Sequence, residues 1–127
     1  MPVYSFPMKW NVFDPGCPTR GLLDRIGDKW TVLIVSALSH GPLRFGELKR
    51  EIGSPAPKVL TSVLRSLEHD GMVSRRVHTA SPLRVEYDLT VLGRSLLAVV
   101  DALRQWAERN MVKVAKARAH HAARTAG

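Results

Sequence analysis

The side chains best suited to chemistry lie on one face of a helix predicted near the middle of the chain. Pro57 is typical of a first helical turn and Gly71 of a helix end, so the helix covers about residues 57–69. At about 100° per residue, its cations and most of its hydroxyls fall within an arc of roughly 100°. These side chains belong to Lys58, Thr61, Ser62, Arg65 and His69. Donors and small hydroxyls of this kind contact the phosphates and base edges of duplex DNA.

The opposite face of the same helix is apolar, with Val59, Leu60, Val63, Leu64 and Leu67. Glu68 is its only acid and lies at the margin of the two faces. A solvated helix usually mixes charges of both signs on its wet face, whereas this face is free of acids. We therefore favour DNA contact as the interpretation, and an ordinary solvated face is the alternative.

Three shorter helices are predicted before this helix, and a β-hairpin follows it. The first covers about residues 18–26, the second starts at a cap on Asp28 and stops before Gly41, and the third has an apolar stripe over residues 45–52. After Gly71 the apolar period changes from about 3.6 residues to about 2, as in strands. This order predicts an α+β, mainly α, fold class: a winged helix-turn-helix with a hairpin wing over about residues 73–89 and added N- and C-terminal dimerisation helices.

Three arginines in the predicted wing form a second basic group. Arg75, Arg76 and Arg84 lie on or near the hairpin tip, where cations can contact a DNA backbone or enter a minor groove. Alternatively, Arg75 and Arg76 pair across the strands with Glu86 and Asp88. Arg84, at the loop end, is the better DNA candidate of the three.

A long last helix is predicted from a cap at Thr90, over about residues 91–111. Its apolar residues follow a 4-3-4-3 spacing: Leu92, Leu96, Val99, Leu103 and Trp106. Leu97, Val100 and Ala107 widen this stripe beyond what one small domain covers, which predicts a two-fold dimer held by this helix. The alternative is a helix that packs wholly on its own core. Residues 113–127 form a basic, Ala-rich tail that is either a helical extension or disordered.

Composition and motifs exclude several classes of protein. The 127 residues correspond to one domain, and a net charge of +8 favours a polyanionic partner. The longest apolar runs are too short for a membrane span, and the N-terminus lacks the apolar region of a signal peptide, so we expect a cytoplasmic protein without membrane contact. Catalytic and phosphate-binding motifs are absent, so we expect neither an enzyme nor a cofactor. We also expect no metal site, because the sequence has a single cysteine and its histidines are scattered.

The chain contains the segments CPTRGLLDRIGDKWTVLIVSALSHGPLRFGELKREIG, KVLTSVLRSLEHDGMVSR and RVEYDLTVLGRSL. Together these segments resemble the HxlR-type regulators, winged helix-turn-helix transcription factors related to the MarR-like proteins. The resemblance covers about residues 17–111 and implies a homodimer on operator DNA. It departs from the family pattern at Ala56 and Pro57, where similar proteins usually have a serine and a polar residue, so a hydroxyl cap is missing.

Cys17, the only cysteine, precedes Pro18 at a predicted helix N-terminus, with Arg20 nearby. Both features favour the thiolate. Some proteins of the resembled family sense oxidants or electrophiles through a cysteine in this region, which makes Cys17 a redox-sensing candidate. The alternative is a small, buried and inert side chain.

These observations predict a dimeric transcriptional regulator that binds a double-stranded DNA operator, with any small-molecule effector unknown. We divide the chain into an N-terminal arm at residues 1–16, a winged helix-turn-helix domain at residues 17–112 and a tail at residues 113–127. The alternative function is a winged-helix module that binds protein partners without reading DNA. The charge of the helix face favours the first, because a face of donors suits a polyanion and does nothing for an apolar partner.

Overall fold

The computed structural model describes residues 9–53 and 56–126. Within these residues the chain is mainly helical, with a small antiparallel sheet, and the predicted fold class is confirmed. In chain order the elements are α1 (Thr19–Ile26), α2 (Lys29–Ala37), a 3-10 turn (Leu38–His40), β1 (Leu43–Arg44), α3 (Phe45–Glu51), α4 (Pro57–His69), β2 (Val73–His78), β3 (Arg84–Leu89) and α5 (Val91–Ala126).

The core forms where α2, α3 and α4 meet the base of the sheet and the first half of α5. The fully buried aliphatic side chains of the described residues are Ile34, Val35, Leu38, Leu48, Leu60, Leu64, Leu67 and Val100. Those of α2 and α4 repeat at helical spacing, and Leu48 of α3 has the same spacing from the core residues Phe45 and Ile52, which is why the apolar periodicity located all three helices. Asp28 occupies the N-cap position of α2, but its side chain makes no capping hydrogen bond, so the predicted side-chain cap is wrong.

The sheet has three strands in the order β1-β3-β2, and both pairings are antiparallel. The sequence predicted the hairpin but missed β1, because two residues are too few to show an alternating pattern. The alternating apolar residues of the two strands predict a hairpin with one buried face, and that face is buried only at the base, where Val73 lies opposite Leu89. Val77 is exposed nearer the tip. The tip of the wing is therefore solvated on both faces.

The end of α4 and the start of α5 are joined by hydrogen bonds between the Thr90 hydroxyl and the backbone. Gly71 ends α4 with a positive φ of 78°, and its carbonyl accepts a hydrogen bond from Thr90 Oγ1 at 2.6 Å. The same Thr90 Oγ1 accepts a bond from Gly93 N at 3.0 Å, which confirms the predicted cap. A Cβ on Gly93 would collide with the Met72 carbonyl, so only glycine allows this approach.

α5 continues to Ala126, beyond the predicted end near Met111. The tail is rich in alanine, lysine and arginine, which favour helix, and contains no proline to stop it. Of the two alternatives for the tail, the structure has the helical extension. Among the described helices, none combines the length and apolarity needed to cross a membrane.

Candidate nucleic-acid interface

The position of α4 is set by its apolar side. Leu60, Leu64 and Leu67 are buried in the core, and this anchorage turns the opposite side of the helix outward. Val59 is an exception, since it lies at the edge of the apolar face and is exposed. Ala56 provides no side-chain cap, as its residue type implies, and Pro57 is the first helical residue.

One groove is lined by four of the α4 side chains predicted to contact DNA: Lys58, Thr61, Ser62 and Arg65. His69 lies further along the same groove. Lys58, Ser62 and Arg65 are exposed, and Thr61 is half-buried. Neither Lys58 nor Arg65 forms an ion pair with any residue that the structure describes. The groove thus offers cations and hydroxyls that are not already neutralised.

Arg25 from α1 also lines this groove, and the sequence reasoning missed it. Its Nε donates a hydrogen bond to Asp70 Oδ2 at 2.8 Å, which ties α1 to the residue after α4. His69 Nδ1 lies 3.1 Å from Asp70 Oδ1. Residues 25 and 70 are far apart in the chain, so no local spacing could have indicated this contact.

A second depression joins α4 to the wing. It is lined by Thr61, Leu64, Arg65, Glu68, Arg75 and Tyr87. Arg65 and Arg75 therefore border the same hollow, one from the helix and one from β2. The basic surfaces of helix and wing are continuous, although Glu68 lies between them.

The wing arginines differ in how they are paired. Arg84 Nε lies 3.2 Å from Glu86 Oε1, and His78 Nε2 lies 3.4 Å from the same oxygen. Arg76 faces Glu86 in the strand register, yet neither Arg75 nor Arg76 makes an ion pair within the described part of the chain. The suggested pairing of Arg75 and Arg76 with Glu86 and Asp88 is therefore wrong. Glu86 instead contacts Arg84 and His78. Asp88 Oδ1 lies 3.1 Å from Arg94 Nη2.

The predicted dimer stripe on α5 separates into two faces. Val100 is buried in the domain core, and Leu96 and Leu97 pack against that core. The exposed face lies roughly 100° round the helix from Val100. It carries four large apolar side chains that are each 50–59% exposed: Leu92, Val99, Leu103 and Trp106. Leu22 and Leu23 on α1 are further exposed apolar residues.

Cys17 lies just before α1 and is only 4% exposed. Its sulfur accepts hydrogen bonds from Thr19 Oγ1 at 3.0 Å and from the Asn11 backbone N–H at 3.4 Å. Burial raises the pKa of the Cys17 thiol, as does Asp14 to a smaller extent, but hydrogen bonds from Thr19 and Asn11 outweigh both and lower that pKa below its ordinary value. The thiolate is thus stabilised by local donors. Burial meanwhile restricts access to it.

No cluster of three or more histidine, cysteine or acidic side chains in the described ranges is arranged to hold a metal ion. The concave surfaces around α4 are instead lined by donors and hydroxyls. Such a surface suits the binding of an extended anion.

Three comparisons with known proteins bear on this surface. A family model described as HxlR-like helix-turn-helix matches residues 25–115. The chain is 40% identical over 113 residues to YtfH of Escherichia coli strain K12, which is named an HTH-type transcriptional regulator; the match covers 89% of this chain and 90% of YtfH.

Solved structures are similar over most of the chain. A ytfH transcriptional regulator from Salmonella typhimurium superposes with a TM-score of 0.80 at 38% identity, covering 87% of this chain and 98% of that one. The redox regulator HypR in its reduced form superposes with a TM-score of 0.70 at 37% identity, covering 78% of this chain and 98% of HypR.

Proposed function

This chain belongs to the HxlR-like helix-turn-helix family of transcriptional regulators, and from that premise we propose that it acts in the cytoplasm as a homodimer that binds a specific double-stranded DNA operator. In this proposal α4 enters the major groove and reads bases through Lys58, Thr61, Ser62 and Arg65. The wing lies on the backbone or in the minor groove, with Arg75, Arg76 and Arg84 as its contacts.

The observation that supports DNA reading most strongly is the groove along α4. Its side chains reach outward from a helix that is anchored by buried leucines, so the reading face is held rigidly. Lys58 and Arg65 form no ion pair with a described residue, so DNA phosphates would not have to displace such a partner. Arg25, which is paired with Asp70, lies at the edge of the same groove.

The apolar face of α5 supports the dimer. Four large side chains at helical spacing are half exposed, and a second copy of the same face would cover them. Leu22 and Leu23 on α1 are further exposed apolar side chains that a partner could cover. A two-fold dimer sets its recognition helices about one duplex turn, roughly 34 Å, or a multiple of it apart, and so requires a near-palindromic operator.

Selection of bound duplexes from a random DNA pool tests the proposal directly. We expect enrichment of a near-palindromic site by the full chain, with affinity that falls steeply as salt rises. Enrichment of no sequence, together with binding that does not depend on salt, would instead support the alternative of a protein-binding module.

The thiol of Cys17 supports a further part of the proposal, namely that oxidants regulate DNA binding. HypR, a structural neighbour, is a redox regulator, and in this chain local donors lower the pKa of the Cys17 thiol. A lower pKa leaves more thiolate at neutral pH, and the thiolate is the reactive form. With one cysteine per chain, a disulfide must form with the partner subunit or with a small thiol.

Diamide treatment of wild type and of Cys17→Ser tests this response. We expect both proteins to bind the operator when reduced and only wild type to change its affinity after treatment. Thr19→Val removes the hydroxyl donor to the sulfur, raises the pKa of the thiol and so slows alkylation by iodoacetamide at neutral pH. An unmodified Cys17 in mass spectra, combined with altered DNA binding, would assign the response to another group.

A further inference from the structure

A third hollow, a cavity open to solvent, lies on the flank of α4, next to the groove. Its volume is about 410 Å³, and residues of α1, α2 and α4 line it. This size falls within the range of pockets that hold small molecules. Ser62 and Ser66 contribute to both the cavity and the groove. A ligand in this cavity would therefore touch the helix that we propose as the DNA reader.

Thr31 of α2 gives the cavity a polar group without a partner. The residue is 1% exposed, and within the described residues its Oγ1 atom is buried and has no hydrogen-bond partner. A buried hydroxyl without a partner is unfavourable, and buried polar groups are nearly always satisfied. A ligand with a hydrogen-bond donor would satisfy this oxygen.

The charged residues of the cavity favour a cationic ligand. Asp24 on α1 and Asp28 at the start of α2 both line it, and neither carboxylate forms an ion pair with a described residue. The third charged residue, Arg25, is bound to Asp70. In a chain of net charge +8, this is a local site of negative charge.

We propose that this cavity binds a small organic cation that carries a primary amine or a guanidinium group. The cationic group lies between the carboxylates of Asp24 and Asp28, and one N–H donates to Thr31 Oγ1. The hydroxyls of Ser62 and Ser66 on α4 accept hydrogen bonds from the other end of the ligand. The site shares Ser62 with the proposed DNA contacts, but binding of the ligand can be measured without DNA.

Titration calorimetry of the full-length chain with agmatine and putrescine provides the test. The matched neutral probe is 1,4-butanediol. We expect the two cations to bind and the diol not to bind. The double variant Asp24→Asn with Asp28→Asn changes only exposed side chains, and it should weaken agmatine binding by at least about tenfold because charge-assisted bonds are lost.

Thr31→Val preserves the shape of the side chain and removes the unpartnered hydroxyl. We expect it to weaken agmatine binding severalfold while the thermal unfolding temperature stays the same or rises, which a merely structural hydroxyl would not do. The control Asp101→Asn removes an acid on α5, outside this cavity, and should leave binding unchanged.

Three results would each overturn the proposal. The first is no binding of either cation at millimolar concentration. The second is equal weakening by Asp101→Asn, which would mean bulk electrostatic attraction. The third is tight Mg²⁺ binding that depends on Asp24 and Asp28 and excludes agmatine, which would make the site one for a metal ion. None of these results bears on operator binding.

Discussion

Helices α4 and α5 are both amphipathic, and each has a face that its own domain leaves uncovered. On α4 that face is made of donors and hydroxyls, and in the described part of the chain Lys58 and Arg65 form no ion pair. On α5 it is apolar, with Leu103 and Trp106 half exposed. The two faces differ in chemistry and therefore in the partner that each one fits. A charged face suits a polyanion, and an apolar face suits a second copy of itself.

The physical cost of leaving each face uncovered also differs. Cations in water are well solvated, so the α4 face is stable without DNA. Exposed apolar area costs about 25 cal/mol per Å² relative to burial, so the α5 face is unfavourable without a partner. We therefore expect subunit association to persist at salt concentrations that abolish operator binding. This difference in salt sensitivity would separate the two interfaces experimentally.

Leu103→Glu should have the largest effect, because it places a charge in the apolar face of α5. We expect monomers and, since two half-sites are no longer engaged together, a loss of roughly 10²–10⁴-fold in operator affinity. Sedimentation and operator titration measure the two outcomes. Gln105→Glu adds the same charge to an exposed position on the other side of the helix and should remain dimeric. A Leu103→Glu variant that stays dimeric would place the interface elsewhere.

Gly93→Ala should come next, because it acts at the junction between the two helices. A Cβ at this position collides with the Met72 backbone, which cannot move aside as a flexible side chain could. We expect a loss of about 1–3 kcal/mol in the free energy of unfolding, measured by urea denaturation. The control Gly21→Ala on α1 meets no atom within 4 Å. It should be neutral or stabilise the fold by about 0.4–1 kcal/mol.

The local parts of this architecture could be predicted from the sequence because they depend on short-range patterns. The apolar period gave α4, proline and glycine gave its two ends, and the hydroxyl of Thr90 gave the cap of α5. The side chains of α4 predicted to contact DNA lie in one groove because a helix fixes their relative angles. Nothing beyond the helical repeat was needed for this part of the site.

The missed features depend on contacts between distant parts of the chain. Arg25 reaches Asp70 only after α1 packs beside α4, and spacing carries no sign of that. The stripe on α5 could not be divided into a core face and an exposed face until the position of Val100 was known. In the wing, charge alone could not show that Glu86 would be engaged by Arg84 and His78.

Arg65→Ala tests the reading face of α4 alone. Arg65 is exposed in the groove, and a bidentate contact of arginine to guanine contributes about 1–3 kcal/mol of discrimination between bases. We expect a weaker preference at one base pair of the selected operator, and less effect on random duplexes. Arg109→Ala, an exposed cation on α5, is the matched control and should leave base preference intact. Equal losses on operator and random DNA would show that Arg65 contacts only phosphate.

The smallest expected effect separates the arginines within the wing. Arg76 makes no ion pair with any described residue, whereas Arg84 lies 3.2 Å from Glu86 and must give up or share this partner to contact DNA. A plot of log affinity against log salt concentration has a negative slope, and removing one phosphate contact makes this slope shallower by about 0.9. We therefore expect Arg76→Ala to reduce the slope by about this amount and Arg84→Ala to reduce it less, in titrations at several salt concentrations.

Glu86→Gln should then raise DNA affinity by releasing Arg84, and the additional Arg84→Ala replacement should abolish that gain. A larger slope change for Arg84→Ala than for Arg76→Ala would mean that DNA displaces Glu86 and that the ion pair does not persist in the complex.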